Sequence, residues 1–314
     1  MSEPDLEALA SLATEQVRPE LGRLDQMAVD QLVALMCADA RRATDVVVAA
    51  GPAIARAVEA IVERLERGGR LIYVGAGTAG RLGVLDASEA GPTFNVRPGQ
   101  VMAILAGGTA AFSEPAEDAE DDAAAAAAAL DEIGVAESDA VVGVSASGLT
   151  PYVLGAVDWA RARHALTVGV ACNAGSPLCA RGDLAIELPV GPEVIAGSTR
   201  LNAGTAQKIV LNILSTATMV RLGKTYGNLM VDVRATNEKL RDRASRIVAE
   251  ITGASPAQAR ETLQSANWET KVAVLMLAGE IDAPNARARL RGAHDRLRPA
   301  LEELVRARET GPSE

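Results

Sequence analysis

Between residues 71 and 188, short apolar runs alternate with stretches in which apolar residues recur at helical spacing. Strands that alternate with helices in this way form a parallel sheet that is covered on both faces. The sequence therefore predicts an α/β fold built on a doubly wound parallel sheet, with its ligand site beyond the carboxyl ends of the strands. The predicted strands are residues 71–75, 101–106, 139–144, 166–171 and 184–188.

The first predicted strand ends in a glycine-rich turn, GAGTAG at residues 75–80, and a helix is predicted over 80–89. A strand, a glycine-rich turn and a helix together present backbone N–H groups to an anion. The glycine spacing is also that of dinucleotide-binding turns, which need an acidic residue at the end of the next strand to hold a ribose. The next predicted strand is followed by Gly107 and Gly108 instead. A phosphorylated small molecule is therefore a better interpretation than NAD.

Helical patterns fill the rest of the chain and predict its organisation. We predict an N-terminal helical segment over 1–50, the α/β domain over 51–233 and a helical C-terminal subdomain over 234–314, with a structural or interfacial role for the last. In that subdomain, the run SPAQ at 255–258 is a capping box with proline at the first helical position, and Asp282 precedes another helix. The other predicted helices are 27–48, 52–67, 113–130, 151–164 and 198–222, with the alanine run 123–129 as a helix body.

Composition and charge limit the class of protein. The chain has 314 residues, is 48% apolar but only 2% aromatic, and carries a net charge of −10. The core must then be built from Ala, Val, Leu and Ile, and the acidic balance argues against nucleic acid or a membrane as a partner. The three cysteines lack metal or disulfide spacing, the start lacks the features of a signal peptide, and no uncharged apolar run approaches about 18 residues. We therefore expect a soluble cytoplasmic protein.

A second loop, SASGLTP at residues 145–151, follows the third predicted strand. Its three hydroxyl groups precede a proline that opens a helix, and Thr150 is placed to cap that helix. A plain capped turn would need only one hydroxyl. Hydroxyls, loop N–H groups and the positive end of a helix together make a phosphate site that needs no lysine.

A third loop, GPEVIAGSTR at residues 191–200, opens the helix predicted over 198–222, with Ser198 as its cap. Lys208 lies further along this helix, where it is either a ligand for an anion or a surface lysine, and its spacing leaves both interpretations open. The substrate-binding residues predicted from the three loops are Gly77, Thr78, Ser145, Ser147, Gly148, Thr150, Ser198, Thr199 and Lys208.

The acid–base chemistry is expected to fall to carboxylates. His164 and His294 lie in arginine-rich stretches typical of a surface, so neither is predicted to be catalytic. Glu89 stands out because it follows Asp86 on the helix that leaves the glycine-rich turn. Spacing alone does not identify the catalytic acid among the others near the start of the helix predicted over 113–130. Those acids are Glu114, Glu117, Asp118, Glu120, Asp121 and Asp122.

Several long motifs resemble those of the N-acetylmuramic acid 6-phosphate etherases, a branch of the sugar isomerase (SIS) domain proteins. They are GAGTAGRLGVLDASE, ASGLTPYV, GSTRLNAGTAQK and NLMVDVRATNEKL, and the likeness runs nearly end to end from TEQ at residues 14–16. The resemblance implies an SIS fold over 51–233, a homodimer and a lyase that uses no cofactor. The family removes D-lactate from its sugar phosphate and gives N-acetylglucosamine 6-phosphate during cell-wall recycling.

The resemblance also assigns two acids. The family acid in the motif DASE corresponds to Glu89, and the one in the stretch AEDAED corresponds to Glu120. The ring-opened sugar carries an aldehyde, which acidifies the proton on carbon 2. We hypothesise that Glu120 removes this proton and that Glu89 helps lactate to leave carbon 3 and then activates water.

The chain departs from the family pattern at several positions. It has Ala79, Leu149 and Asn202 where the family usually has serine, arginine and lysine, and Ala90-Gly91 in place of Cys-Pro. Ser145, often alanine in the family, is an added hydroxyl. Loss of an arginine and a lysine is expected to weaken binding of the lactyl carboxylate or the phosphate. A related sugar phosphate is therefore an alternative substrate.

Two other functions stay open. An aldose–ketose isomerase on the same fold would also begin by removing a proton beside a carbonyl. A non-catalytic sugar-phosphate sensor would need the phosphate loop but not both Glu89 and Glu120, so the presence of both acids favours an enzyme.

Overall fold

The computed structural model describes residues 11–114 and 116–309. The chain start, on which the signal-peptide expectation rests, lies outside these residues. The described chain forms two compact units, the first within Met1–Ser88 and Pro98–Thr218 and the second within Glu89–Arg97 and Met219–Glu314. The predicted division at residues 50 and 233 stays a prediction.

The described strands of the first unit form a five-stranded parallel sheet in the order β2-β1-β3-β4-β5. The predicted α/β fold is confirmed. Because the order reverses at β1, which pairs with both β2 and β3, a crevice is expected at the carboxyl ends of these strands. The strands are β1 Leu71–Gly75, β2 Val101–Leu105, β3 Ala140–Ser145, β4 Leu166–Ala171 and β5 Leu184–Glu187.

Every residue of β1, β3 and β4 is buried. Strands covered on both faces have continuous apolar sequences, which is why these three were predicted within a residue of their observed bounds. One core cluster joins Ile72 and Val74 to Val141, Leu130 and Ala156. Small aliphatic residues dominate this core, as the low aromatic content predicts.

Eight described helices begin within the residue ranges of the first unit. They are α1 Val29–Asp39, α2 Arg41–Ala49, α3 Gly51–Glu66, α4 Gly77–Phe94, α5 Ala123–Glu132, α6 Pro151–Ala162, α7 Pro177–Arg181 and α8 Asn202–Arg221. Two of them, α4 and α8, continue into the ranges of the second unit. No helix in the described part of the chain has both the length and the apolar character needed to cross a membrane.

Three predicted helices need correction. The helix predicted over 27–48 is broken at Ala40 into α1 and α2, and the helix predicted over 80–89 extends from 77 to 94 through Pro92. The segment predicted as a helix from residue 113 contains the 3₁₀ turn Glu117–Asp121, and α5 begins only at Ala123. Asp122 fixes that start, since its side chain accepts the Ala125 N–H at 2.9 Å. The alanine run is the body of α5, as predicted.

The second unit contains a short antiparallel hairpin, which the sequence did not predict, and a group of helices, which it did. The hairpin strands are β6 Thr225–Tyr226 and β7 Leu229–Met230, and the helices are α9 Glu238–Thr252, α10 Pro256–Ser265, α11 Thr270–Gly279, α12 Ala283–Gly292 and α13 Leu297–Glu309. The capping box of Ser255 and Gln258 is confirmed, and Asp282 caps α12. Residues 272–275 are buried at the centre of this unit.

Candidate active site

The glycine-rich turn brings α4 into close contact with β1. A Cβ on Gly75 would lie 2.7 Å from the Gly80 nitrogen, and a Cβ on Gly80 would lie 2.5 Å from the Gly75 oxygen. A larger residue at either position would force the helix away from the strand. Gly77, where α4 begins, is exposed and has φ of 52°, and Thr78 is half-buried beside it. The turn therefore presents the beginning of α4 at the carboxyl edge of the sheet.

The serine loop, residues 145–150, follows β3 at the same edge, and its hydroxyls are drawn together. The Ser145 Oγ atom lies 2.8 Å from Thr150 Oγ1 and 3.2 Å from Ser147 Oγ. It also accepts the Gly148 N–H at 3.0 Å, and Ser147 Oγ accepts the Leu149 N–H at 3.1 Å. Ser145 is buried, whereas Ser147 and Thr150 are half-buried. The loop is thus a compact cluster of hydroxyl groups.

Thr150 occupies the N-cap position of α6, with Pro151 next to it as predicted, but its side chain makes no capping hydrogen bond. The prediction that Thr150 caps this helix is wrong because its hydroxyl is paired with Ser145 instead. A helix N-terminus without a side-chain cap keeps N–H groups that an anion can use. The absence of a side-chain cap at Thr150 therefore favours binding of an anion at the start of α6.

Neighbouring segments fix the shape of the serine loop. Gly148 has φ of 73°, and a Cβ there would lie 2.4 Å from Ser176 Oγ, so only glycine fits. Asn173 donates from Nδ2 to the Ala146 oxygen and to Thr14 Oγ1, each at 3.1 Å. Asn173 was not among the site residues predicted from the sequence. Asn173 lies two residues after β4, at the carboxyl edge of the sheet, and this position could have identified it as a site residue.

The third loop differs from its prediction. Helix α8 begins at Asn202, and the buried Glu193 carboxylate accepts the N–H groups of Asn202 at 3.0 Å and Ala203 at 2.9 Å. The prediction that Ser198 caps this helix is wrong. The Glu193 carboxylate instead accepts two of the N–H groups at the start of α8, and its negative charge interacts favourably with the helix dipole. Ser198 and Thr199 lie half-buried in the loop before the helix. This role of Glu193 was not predicted from the sequence.

The start of α8 lies against the glycine-rich turn. A Cβ on Gly204 would be 3.2 Å from Thr78 Cγ2, and the Gly204 N–H bonds to the Thr199 oxygen at 2.8 Å. The first and third loops therefore lie side by side. Lys208 is exposed, with no hydrogen bond or ion pair in the part of the chain that the structure describes, and its contact with a ligand stays a prediction.

Asn202, the first residue of α8, is buried. Its Nδ2 atom donates to Asp39 Oδ2 at 2.6 Å, and Arg18 and Arg42 also bind the Asp39 carboxylate. Burial alone would raise the pKa of Asp39, but the hydrogen bonds from Arg42, Arg18 and Asn202 outweigh it and the pKa lies below its usual value. Asn202 therefore joins α8 to the N-terminal segment through Asp39.

Glu120 lies on the 3₁₀ turn Glu117–Asp121 in the first unit, and it is exposed. The segment is packed at the end of β2, where a Cβ on Gly107 would lie 2.7 Å from Ala116 Cβ and 3.5 Å from Ala119 Cβ. The turn also packs against α6, whose Tyr152 has a pKa raised by burial and by the nearby Asp122 charge. The structure therefore brings Glu120 to the edge of the sheet that carries the serine loop.

Glu89 is an exposed residue of α4 that belongs to the second unit. One turn earlier, Asp86 is buried within the first unit, and no role was predicted for it from the sequence. The Asp86 carboxylate accepts the Tyr73 hydroxyl at 2.8 Å, Asn212 Nδ2 at 2.6 Å and Ser215 Oγ at 3.1 Å. Burial raises the pKa of Tyr73 well above its usual value, and the nearby negative charge of Asp86 is the second largest cause.

Family models match most of the chain, and the first two of the three matched stretches overlap. The N-terminal SIS domain of glucokinase regulatory protein matches residues 53–161, the SIS domain matches 114–217, and the C-terminal lid domain of glucokinase regulatory protein matches 227–296. These matches confirm the predicted SIS fold.

Individual proteins are similar over nearly the whole chain. An N-acetylmuramic acid 6-phosphate etherase of Rubrobacter xylanophilus is 56% identical over 297 residues, which cover 95% of this chain and 98% of that protein. An etherase of the same name from Streptomyces avermitilis is 53% identical over 93% of this chain and 94% of its own. A solved phosphoheptose isomerase from Francisella tularensis is 19% identical, with a TM-score of 0.48 over 62% of this chain and 100% of its own.

Proposed function

Because this chain belongs to the family of N-acetylmuramic acid 6-phosphate etherases, which are carbon–oxygen lyases, we propose that it cleaves the D-lactyl ether of N-acetylmuramic acid 6-phosphate. The products would be N-acetylglucosamine 6-phosphate and D-lactate. The observation that carries this proposal is the identity of 56% over 95% of the chain with a relative of that name. The comparable identity of a second relative supports it.

The phosphate of the substrate would be held by the serine loop and the beginning of α6. Ser145, Ser147 and Thr150 place three hydroxyl groups within one short segment, and the α6 N-terminus has no side-chain cap. Backbone N–H groups and the helix dipole favour an anion there without a lysine. Gly77 and Thr78, at the start of α4, would bind the same ligand beside Ser198 and Thr199.

The reaction would proceed by elimination and then hydration. With the sugar ring open, Glu120 takes the proton from carbon 2, and the released electron pair is held as the enolate of the aldehyde. In the next step the enolate collapses, a double bond forms between carbons 2 and 3, and the bond from carbon 3 to the lactate oxygen breaks. Glu89 supplies the proton that the departing lactate oxygen needs. Glu89 then takes a proton from water, the hydroxide adds to carbon 3, and the proton held by Glu120 returns to carbon 2.

Several broader properties belong to the same proposal. The enzyme would work without a cofactor, as a homodimer in the cytoplasm, in the recycling of cell-wall sugars. The pathway and the assembly are those that the resemblance of the sequence motifs to the etherases implies. The few, dispersed cysteines, Cys37, Cys172 and Cys179, are consistent with a reducing compartment.

The test is incubation of the protein with N-acetylmuramic acid 6-phosphate in water labelled with heavy oxygen. Free lactate together with label at carbon 3 of the product supports elimination and hydration. Formation of a ketose phosphate would instead establish an isomerase. Tight binding without turnover would establish a sensor, and either of these results would refute the proposal.

A further inference from the structure

We propose that Asp86 is a positioning residue that orients the turn of α4 carrying Glu89, so that the loss of lactate depends on Asp86 more strongly than substrate binding or proton removal at carbon 2 does. This inference rests on the proposed function, because it assigns the loss of lactate to Glu89. It adds a residue that does not contact the substrate to the two carboxylates of the mechanism.

Asp86 connects α4 to two other elements of the first unit. One carboxylate oxygen, Oδ2, accepts the hydroxyl of Tyr73 on β1 at 2.8 Å. The other, Oδ1, accepts Asn212 Nδ2 at 2.6 Å and Ser215 Oγ at 3.1 Å, both from α8. Hydrogen bonds to an ionised carboxylate are stronger than those between neutral groups. Asp86 therefore fixes both the rotation and the position of α4 at this turn.

The carboxylate of Asp86 is buried without a counter-charge. It is 7% exposed, and none of the lysine and arginine side chains that the structure describes forms an ion pair with it. A buried charge without a partner of opposite sign is unfavourable, and an apolar residue of similar size would often pack at least as well. Bulk stability therefore does not account for the choice of aspartate, whereas a requirement for fixed geometry does.

The end of α4 depends on this support. Gly91 and Pro92 lie inside the helix, soon after Glu89. Proline has no N–H to bond to the Ser88 oxygen four residues earlier, and glycine weakens a helix interior. The backbone on the C-terminal side of Glu89 is thus weakly constrained. Because residues three apart lie on one face of a helix, the side-chain contacts of Asp86 are well placed to orient Glu89.

The effect of losing these contacts can be measured as the ratio of the rate of hydrogen exchange at carbon 2 to the rate of lactate release. If Glu89 is displaced by about 1 Å, the loss of lactate is expected to slow by up to about 100-fold. The intermediate formed by Glu120 then returns to substrate more often. In heavy water, recovered substrate would therefore acquire deuterium at carbon 2 faster than it releases lactate. A variant that merely reduces the folded fraction lowers both rates together and leaves their ratio unchanged.

The experiment compares Asp86→Asn and Tyr73→Phe with the wild type and with Ser88→Ala in heavy water. Ser88 is a matched control because, among the residues that the structure describes, its hydroxyl donates only to the Leu85 oxygen of the same helix at 2.8 Å. We expect Asp86→Asn to raise the ratio of exchange to lactate release by about 10- to 100-fold, with KM within about twofold of the wild type. Tyr73→Phe, which removes one of the three donors, should raise it by a few fold, and Ser88→Ala should not change it.

Equal losses of exchange and lactate release in Asp86→Asn would overturn the inference, and so would an unchanged ratio in a folded variant. If Asp86→Asn fails to fold, Tyr73→Phe decides, because it keeps the carboxylate and two of its donors. An unchanged ratio in that variant would then refute the role of Asp86. A wild-type protein that neither exchanges the carbon 2 proton nor releases lactate would refute the proposed function itself, and this inference with it.

Discussion

Glu193 provides a sharp test of how α8 begins. Sequence periodicity predicts Ser198 as the cap of this helix, whereas the structure assigns that role to a buried carboxylate nine residues before Asn202. The two side chains can be compared directly by replacing each one. Glu193→Gln keeps the size of the side chain and one acceptor oxygen but loses the second, and Ser198→Ala removes only the predicted cap.

The magnitude follows from the two hydrogen bonds. Glu193 accepts the Asn202 N–H at 3.0 Å and the Ala203 N–H at 2.9 Å, and both residues are buried. Glutamine leaves one of these N–H groups facing an amide NH₂, so a hydrogen bond to a charged group, worth about 1.5–3 kcal/mol, is lost and a buried donor is unpaired. Loss of the charge at the helix N-terminus adds roughly 0.3–1 kcal/mol. We expect Glu193→Gln to lower the free energy of unfolding by about 2–4 kcal/mol.

Urea unfolding followed by circular dichroism measures this difference. With a urea m-value near 3 kcal/mol per molar, the midpoint of Glu193→Gln should fall by about 1 M. Ser198→Ala should change the free energy of unfolding by no more than about 0.5 kcal/mol. A larger loss in Ser198→Ala than in Glu193→Gln would show that the serine, and not the carboxylate, fixes the start of α8.

Three further outcomes are expected. Glu120→Gln should lower kcat by about 10²–10⁴, while the neighbouring Asp121→Asn leaves it unchanged, and equal losses in initial-rate assays would refute the assignment of the base. Ser145→Ala should raise KM several-fold with a smaller change in kcat, because the hydroxyl that joins Ser147, Gly148 and Thr150 is removed; an unchanged KM would contradict its role. Burial would raise the pKa of Asp139, but hydrogen bonds from Arg70 and the Ala136 N–H outweigh it and lower the pKa. The Asp139 carboxyl therefore takes up its proton at a higher pH in the unfolded chain than in the folded protein. Its contribution to the free energy of unfolding is fully present above the unfolded pKa of about 4 and is lost as the pH falls through the lower folded pKa. Acid titration of Asp139→Asn should lack this component of stability, and a profile identical to the wild type would contradict it.

Much of the fold is predictable because its signals are local. Central strands such as β3 and β4 are buried on both faces, so their sequences are continuous apolar runs. The capping box of Ser255 and Gln258 lies within four adjacent residues and needs no distant partner. The glycine and hydroxyl loops were likewise identified from their positions after strands.

The features that were missed have partners far away in the sequence. The break between α1 and α2 follows Asp39, whose carboxylate binds Asn202 from 163 residues away. Thr150 is an exception, because its side chain fails to cap α6 through competition from Ser145, only five residues away. Asn173 and Asp86 each appear in the sequence as a lone polar residue, and only the tertiary fold supplies their donors and acceptors. Local propensity cannot distinguish such residues from ordinary surface polar groups.

Leu149 lies in the serine loop, so a charge introduced at this position tests how the phosphate is held. If neutral hydroxyls, backbone N–H groups and a helix terminus bind it, the interaction is short-range and directional, and salt should screen it little. A flexible surface cation would be screened strongly, since the Debye length falls from about 10 Å at 0.1 M to about 3 Å at 1 M salt. We expect the KM of the wild type not to rise across this range, whereas Leu149→Arg should lower KM at low salt and lose that gain at high salt. A KM that rises as steeply in the wild type as in Leu149→Arg would show that cations elsewhere in the protein bind the phosphate, and the hydroxyl cluster would then have only a structural role.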